Sequence, residues 1–149
     1  MYKTVVFDLD GTLLNTLTDL ADAGNRLCRK YGWPTHERQA YRYFVGNGIP
    51  KLVERLAPAD QRTPAVLEAA LADFKRDYGQ HLRDTTAPYP GIPEMLAKLK
   101  ANGVQLAVFS NKADALAKEV VKDYFGTQYF TIVRGQMTGV APKPCLLYT

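Results

Sequence analysis

The hydrophobic positions of this chain start as a strand, shift to helical spacing through a long middle stretch, and then alternate between the two. Thr4-Val5-Val6-Phe7 is an unbroken run of β-branched or apolar residues, the pattern of a parallel strand buried on both faces. Leu17, Leu20, Ala21, Gly24, Leu27, Cys28 and Tyr31 then recur at helical spacing, until Gly32 and Pro34 end the helix. A short helix is predicted through Ala40, Tyr41 and Phe44, stopped by Gly46-Asn47-Gly48, and another is marked by Ile49, Leu52, Val53 and Leu56. Thr63 reads as an N-cap with Pro64 at the first helical position, ahead of the stripe Leu67, Ala70, Leu71, Phe74, Tyr78 and Leu82. From residue 16 to about 84 there is no strand pattern.

The character changes at Tyr89. Pro90-Gly91 opens a helix through Met95, Leu96 and Leu99, closed by Asn102-Gly103. Val104 to Phe109 predicts a second buried strand, and Ser110-Asn111-Lys112 follows it. Leu116, Val120 and Tyr124 give a helix ended by Gly126, and Thr131-Ile132-Val133 a third strand before a loop rich in Gly, Thr and Pro. Strand, helix, strand, helix, strand implies right-handed crossovers and a parallel sheet, hence an α/β fold with a helical insertion after its first strand. No internal repeat or low-complexity stretch is present.

Candidate chemistry stands where the first strand ends, at Asp8-Leu9-Asp10-Gly11-Thr12. Side chains alternate along an extended chain, so Asp8 and Asp10 leave one face while Leu9 turns into the core. Gly11 allows a sharp turn and close approach of a ligand to the backbone. The carboxyl end of a parallel strand is where open α/β sheets bind ligands. Like charges this close raise one pKa or recruit a cation, which suits metal-assisted chemistry on a phosphoryl group. The pair alone is equally compatible with a plain turn. A calcium loop is excluded: the glycine falls at the fourth place rather than the sixth, and a strand precedes it instead of a helix. Ser110 stands at the end of the second strand, where its hydroxyl and the backbone amides of the next helix could hold phosphate oxygens; capping that helix is the competing reading.

Composition narrows the class without naming it. The chain has 149 residues, 46% hydrophobic and 23% charged, enough for one well-cored domain or a small domain with an insertion. No apolar run approaches the roughly 20 residues of a membrane span. The chain enters a strand at once, with no cleavable apolar segment. Cys28 and Cys145 show neither metal spacing nor a disulfide framework, so the expected compartment is the cytoplasm. A net charge of +4 raises the question of nucleic acid, but Arg26, Arg29, Lys30, Lys98 and Lys100 are scattered over helices and read as solvated faces. Neither a nucleic-acid nor a membrane partner is expected.

Phe7-Asp8-Leu9-Asp10-Gly11-Thr12-Leu13 resembles the first signature of the haloacid dehalogenase-like hydrolases, mostly Mg2+-dependent phosphatases, and the chain most resembles their phosphoglycolate phosphatase-like group. The resemblance runs from residue 1 to about Pro144. It implies a Rossmann-like core over residues 1–15 and 88–149 and a helical cap over residues 16–87. It implies hinges near Asn15-Thr16 and Ala87-Pro88. Gly46-Asn47-Gly48 matches a cap loop that faces the active site in such phosphatases, although a plain helix–helix turn fits the same residues. By resemblance Ser110 is the second signature, Asn111 an accessory contact, and Lys143, before Pro144, the third. The implied mechanism has Asp8 as nucleophile and Asp10 as acid and base. Mg2+ would sit on the Asp8 carboxylate, the Asp10 carbonyl and phosphate. Leu9, Gly11 and Thr12, with Ser110, Asn111 and Lys143, would hold the phosphoryl group, and Asn47 the rest of a small phosphorylated metabolite.

Two departures accompany the resemblance. Asn15 occupies a position usually held by an acid. The chain also stops soon after Lys143, so the fourth signature, a Gly-Asp with a further acid, is missing. Cys145-Leu146-Leu147-Tyr148-Thr149 does not resemble the usual continuation. The expectation is therefore a C-terminally truncated phosphatase, impaired in turnover and prone to self-association through an open core edge. The alternatives are a phosphomutase or pyrophosphatase of the same superfamily, or a non-catalytic remnant that binds phosphate or a partner.

Overall fold

The computed structural model describes residues 2–144; Cys145 and the residues after it, where the unusual ending was read, lie outside the described residues. The chain divides into two compact units, Met1–Asn15 with Ala87–Thr149, and Thr16–Thr86.

The first unit is built on a parallel sheet of β1 (Thr4–Phe7), β4 (Gln105–Ala113) and β5 (Phe130–Gln136), in the order β1-β4-β5. A short antiparallel ribbon, β2 (Leu14–Asn15) on β3 (Ala87–Pro88), belongs to the same unit. Helix α5 (Ile92–Ala101) follows Gly91, whose φ of 83° only glycine adopts cheaply, and precedes β4; α6 (Asp114–Phe125) joins β4 to β5. Both crossovers step the same way across the sheet, so right-handedness puts α5 and α6 on one face. That face carries Leu106 and Val108, both fully buried. The opposite face carries the aligned row Val6, Ala107 and Ile132, of which Val6 is 61% and Ile132 57% exposed. The reading of the first strand as buried on both faces is thus corrected: an apolar run shows that a strand is hydrophobic, while chain topology decides which faces are covered.

The second strand also runs past its expected end. Ser110, Asn111 and Lys112 lie inside β4, which regains pairing at Ala113↔Gln136 after an irregularity following Phe109. Helix α6 therefore starts at Asp114, after Ala113, and the reading of Ser110 as its cap is corrected. Ser110 Oγ instead accepts from the Lys112 amide at 3.1 Å.

The second unit is helical. It holds α1 (Leu17–Tyr31), α2 (Tyr41–Phe44), α3 (Ile49–Leu56) and α4 (Pro64–His81). Gly32, in the left-handed conformation, ends α1, and Thr63 Oγ1 accepts from Val66 N at 3.4 Å to cap α4. Buried Leu20, Leu27, Phe74 and Tyr78 pack α1 against α4, and the Arg26 guanidinium grips both Asp77 oxygens at 2.7–3.1 Å across the same contact. Asp19, at the start of α1, accepts from the amides and hydroxyls of Thr85 and Thr86 and so ties the two ends of the unit together.

Candidate active site

β1 and β4 are parallel with Phe7 beside Val108, so Asp8 and Asp10 leave β1 at the end where Phe109 and Ser110 leave the regular part of β4. Past Asp8 the chain folds into a tight loop. The buried Leu9 offers its carbonyl to the amides of Thr12, Leu13 and Leu14 at 3.0–3.2 Å, and Gly11 takes a φ of 78°. Leu9 fills the core, as the alternation required, which leaves the two aspartates to the loop's outer side.

Lys143 returns to this place from far along the chain. Its Nζ lies 3.1 Å from Asp8 Oδ1 and also donates to the Phe109 carbonyl. The ammonium sits 5.7 Å from the Phe109 ring centroid. Asn111 holds Lys143 at its backbone: the Lys143 amide donates to Asn111 Oδ1 at 2.7 Å, and Asn111 Nδ2 donates to the Lys143 carbonyl at 3.2 Å. Asn111, read as an accessory contact to phosphate, thus acts on the lysine here. The Ser110 hydroxyl proton is not used in accepting from Lys112, and Ser110, Asn111 and Lys143 line one cavity of ≈ 220 Å³.

Asp10 pairs with a residue that the sequence did not single out. Lys112 Nζ lies 3.1 and 3.3 Å from the two Asp10 oxygens. The Lys112 side chain is only 4% exposed, against 28% for Lys143. A lone lysine after a strand carries no signal in a sequence; a buried one needs a counter-charge, and that is visible only in space.

Asn47 lies in the other unit, on the loop between α2 and α3. Its Oδ1 accepts from Arg55 Nη2 at 3.0 Å, while Arg55 Nη1 donates to the Tyr43 and Phe44 carbonyls at 3.2 and 2.9 Å. Arg55 therefore shapes the loop that presents Asn47.

Residues 5–146, which carry both aspartates and both lysines, match the family of haloacid dehalogenase-like hydrolases. The chain belongs to that family. It is 33% identical to a phosphoglycolate phosphatase of Thiobacillus denitrificans over 95% of this chain and 64% of the relative. It is 35% identical to one of Neisseria meningitidis, over 95% of this chain and 62% of the relative. The chain thus spans under two thirds of the length of these curated relatives. Among solved structures, a predicted phosphoglycolate phosphatase of Haemophilus somnus aligns with a TM-score of 0.84 at 28% identity, covering 96% of this chain and 66% of that one. The α/β core with an inserted helical unit is the fold of this haloacid dehalogenase-like hydrolase chain.

Among the described residues no cluster of three or more His, Cys, Asp or Glu side chains is present. The donors at hand are aspartate oxygens, hard ligands of the kind Mg2+ takes; that ion is commonly bound by one or two carboxylates with waters and substrate phosphate. The aspartate donors are of the kind such an ion takes. Among the described residues no helix is long and apolar enough to cross a membrane.

Proposed function

We propose that this chain carries the phosphoryl-transfer centre of a phosphatase for a small phosphomonoester such as 2-phosphoglycolate. The observation that carries the reading is the Asp8 carboxylate, 46% exposed at its side chain, held beside the Lys143 ammonium at the end of the parallel sheet. The names of the curated relatives support the substrate class.

In this reading Asp8 attacks phosphorus in line, forming an aspartyl-phosphate as the alcohol leaves. Lys143, anchored by Asn111 and the Phe109 carbonyl, offsets charge on the nucleophile and on the phosphoryl oxygens. The Ser110 hydroxyl and the amides of Leu9, Gly11 and Thr12 are the further donors for that group, although the Gly11 and Thr12 amides already donate within the loop, to the Leu14 and Leu9 carbonyls. Asp10 gives its proton to the leaving oxygen and later takes one from the water that releases phosphate. Asp8 and the Asp10 carbonyl would hold Mg2+, which when bound supplies further neutralisation of the phosphoryl charge. In this reading the helical unit, residues 16–86, serves as a cap, and Asn47, whose side chain is held by Arg55, is its candidate for reading the part of the substrate beyond the phosphate.

The test is Mg2+-dependent release of phosphate from 2-phosphoglycolate by the chain and by Asp8→Asn, alongside trapping of Asp8 with beryllium fluoride. Turnover and trapping should both vanish in the variant, because an amide is no nucleophile here. Equal turnover by the two proteins would sink the assignment.

A further inference from the structure

Lys112 is an expensive residue to place where it is. Its side chain is 4% exposed, and removing an ammonium from water is costly unless a counter-charge meets it with good geometry. The partner is Asp10, 102 residues earlier in the chain, met at both carboxylate oxygens. We infer that Lys112 is the positioning residue for Asp10, fixing its carboxyl at the point where the leaving oxygen must be reached. This inference rests on the reading of Asp10 as acid and base.

The lysine is itself well fixed. Its amide donates to Ser110 Oγ at 3.1 Å. Its carbonyl lies against Gly135 of β5 so closely that a Cβ there would collide with it, and would come within 2.6 Å of Asp114 Cα. The Gly135 amide in turn donates to Asp114 Oδ1 at 2.9 Å. β5 and the start of α6 therefore press on the stretch of backbone from which the Lys112 side chain departs. Asp10, by contrast, hangs from a loop that turns at Gly11 and needs an outside contact to set its carboxyl plane. The two lysines divide the work. Lys143, 28% exposed, meets the reacting carboxylate from the open side, and Lys112 grips the other carboxylate from within the unit. A general acid must lie within hydrogen-bond reach of the oxygen it serves, so a fixed ammonium that sets the Asp10 carboxyl plane meets the geometric part of that demand before substrate arrives, and the proton Asp10 passes on takes the place of one of the two lysine contacts.

Leaving groups separate positioning from mere support. The alkoxide of 2-phosphoglycolate needs a proton as it departs, whereas 4-nitrophenolate leaves without one. Lys112→Met should lower kcat on 2-phosphoglycolate on the order of 10²-fold with KM little changed. The loss on 4-nitrophenyl phosphate should be at least about tenfold smaller, following the pattern of Asp10→Asn. Lys112→Arg, which keeps the charge, should recover part of the loss. A parallel loss on both esters, or none, overturns the inference while Asp10→Asn still upholds the general acid. If Asp10→Asn itself shows no dependence on leaving group, the reading of Asp10 fails and the inference with it. The same holds if the wild-type chain turns over neither ester. The pairing has its own readout, free of turnover. In lysine-labelled protein, a slowly exchanging ammonium resonance should be absent from Lys112→Met and displaced in Asp10→Asn. A Lys112 resonance indifferent to Asp10→Asn overturns the inference outright.

Discussion

Asp19 takes hydrogen bonds from the amides of Thr85 and Thr86 at 2.9–3.1 Å and from their hydroxyls at 2.5 and 2.7 Å, while only 2% exposed. Burial pushes its pKa up, but the hydroxyl and amide bonds from Thr85 and Thr86 outweigh it and leave the carboxyl below its ordinary value. Because the folded pKa is depressed, the stability it contributes is present above the unfolded value and is lost as pH falls through the folded one. Asp19→Asn should therefore cost about 1–3 kcal/mol near pH 7, leaving amide donors facing a donor. The gap to wild type should narrow as pH drops below about 4, measured by urea unfolding across a pH series. A gap independent of pH would assign the loss to packing alone. At this scale the sequence was uneven. Asp8, Asp10 and Lys143 stood out because their neighbours form short ordered motifs, but Asp19 and Lys112 draw their meaning from partners 66 and 102 residues away. No local pattern encodes such distances.

Helix ends were legible at the scale of elements, because a cap is a local bargain between neighbouring residues: Thr63-Pro64 starts α4, and Gly32 ends α1. The far end of β4 was not, since Ser110, Asn111 and Lys112 are poor strand formers and bulge out of register between Phe109↔Arg134 and Ala113↔Gln136, where Gly135 lets β5 come close. Two helical glycines show how tertiary contact overrides propensity. A Cβ on Gly24 of α1 would lie 2.5 Å from Tyr41 Cε1 and Oη, and that ring is fully buried with its hydroxyl donating to Asn25 Oδ1 at 2.9 Å. A Cβ on Gly79 of α4 meets nothing within 4 Å. Alanine favours a helix over glycine by about 0.8–1 kcal/mol, and overpacking costs about 1–3 kcal/mol. Gly79→Ala should thus raise the thermal midpoint and Gly24→Ala lower it, by calorimetry on the two variants. Equal shifts would mean that Tyr41 gives way freely.

Across the whole molecule, the same run of crossovers that packs α5 and α6 on one side of the sheet leaves the row Val6, Ala107, Ile132 on the other. β1 and β5 are the sheet's two edges among the described residues. Monomers seldom leave a contiguous apolar patch beside unpaired strand edges, because both invite pairing with another copy. The occupant expected here is a second molecule of this chain. Its sheet would present the same row, so one apolar face would meet another without any new chemistry. The expected outcome is a solution mass that rises with protein concentration. Val6 and Ile132 sit two strands apart, so lysines at both would not face each other directly across a ladder, and each would reach water from a position already more than half exposed. Val6→Lys with Ile132→Lys should therefore hold the mass at that of a monomer and change the unfolding midpoint little. Light scattering over a concentration series decides the matter. A wild-type chain that stays monomeric throughout would mean that the exposed row is too small to drive association, and the open face would then be tolerated as it stands.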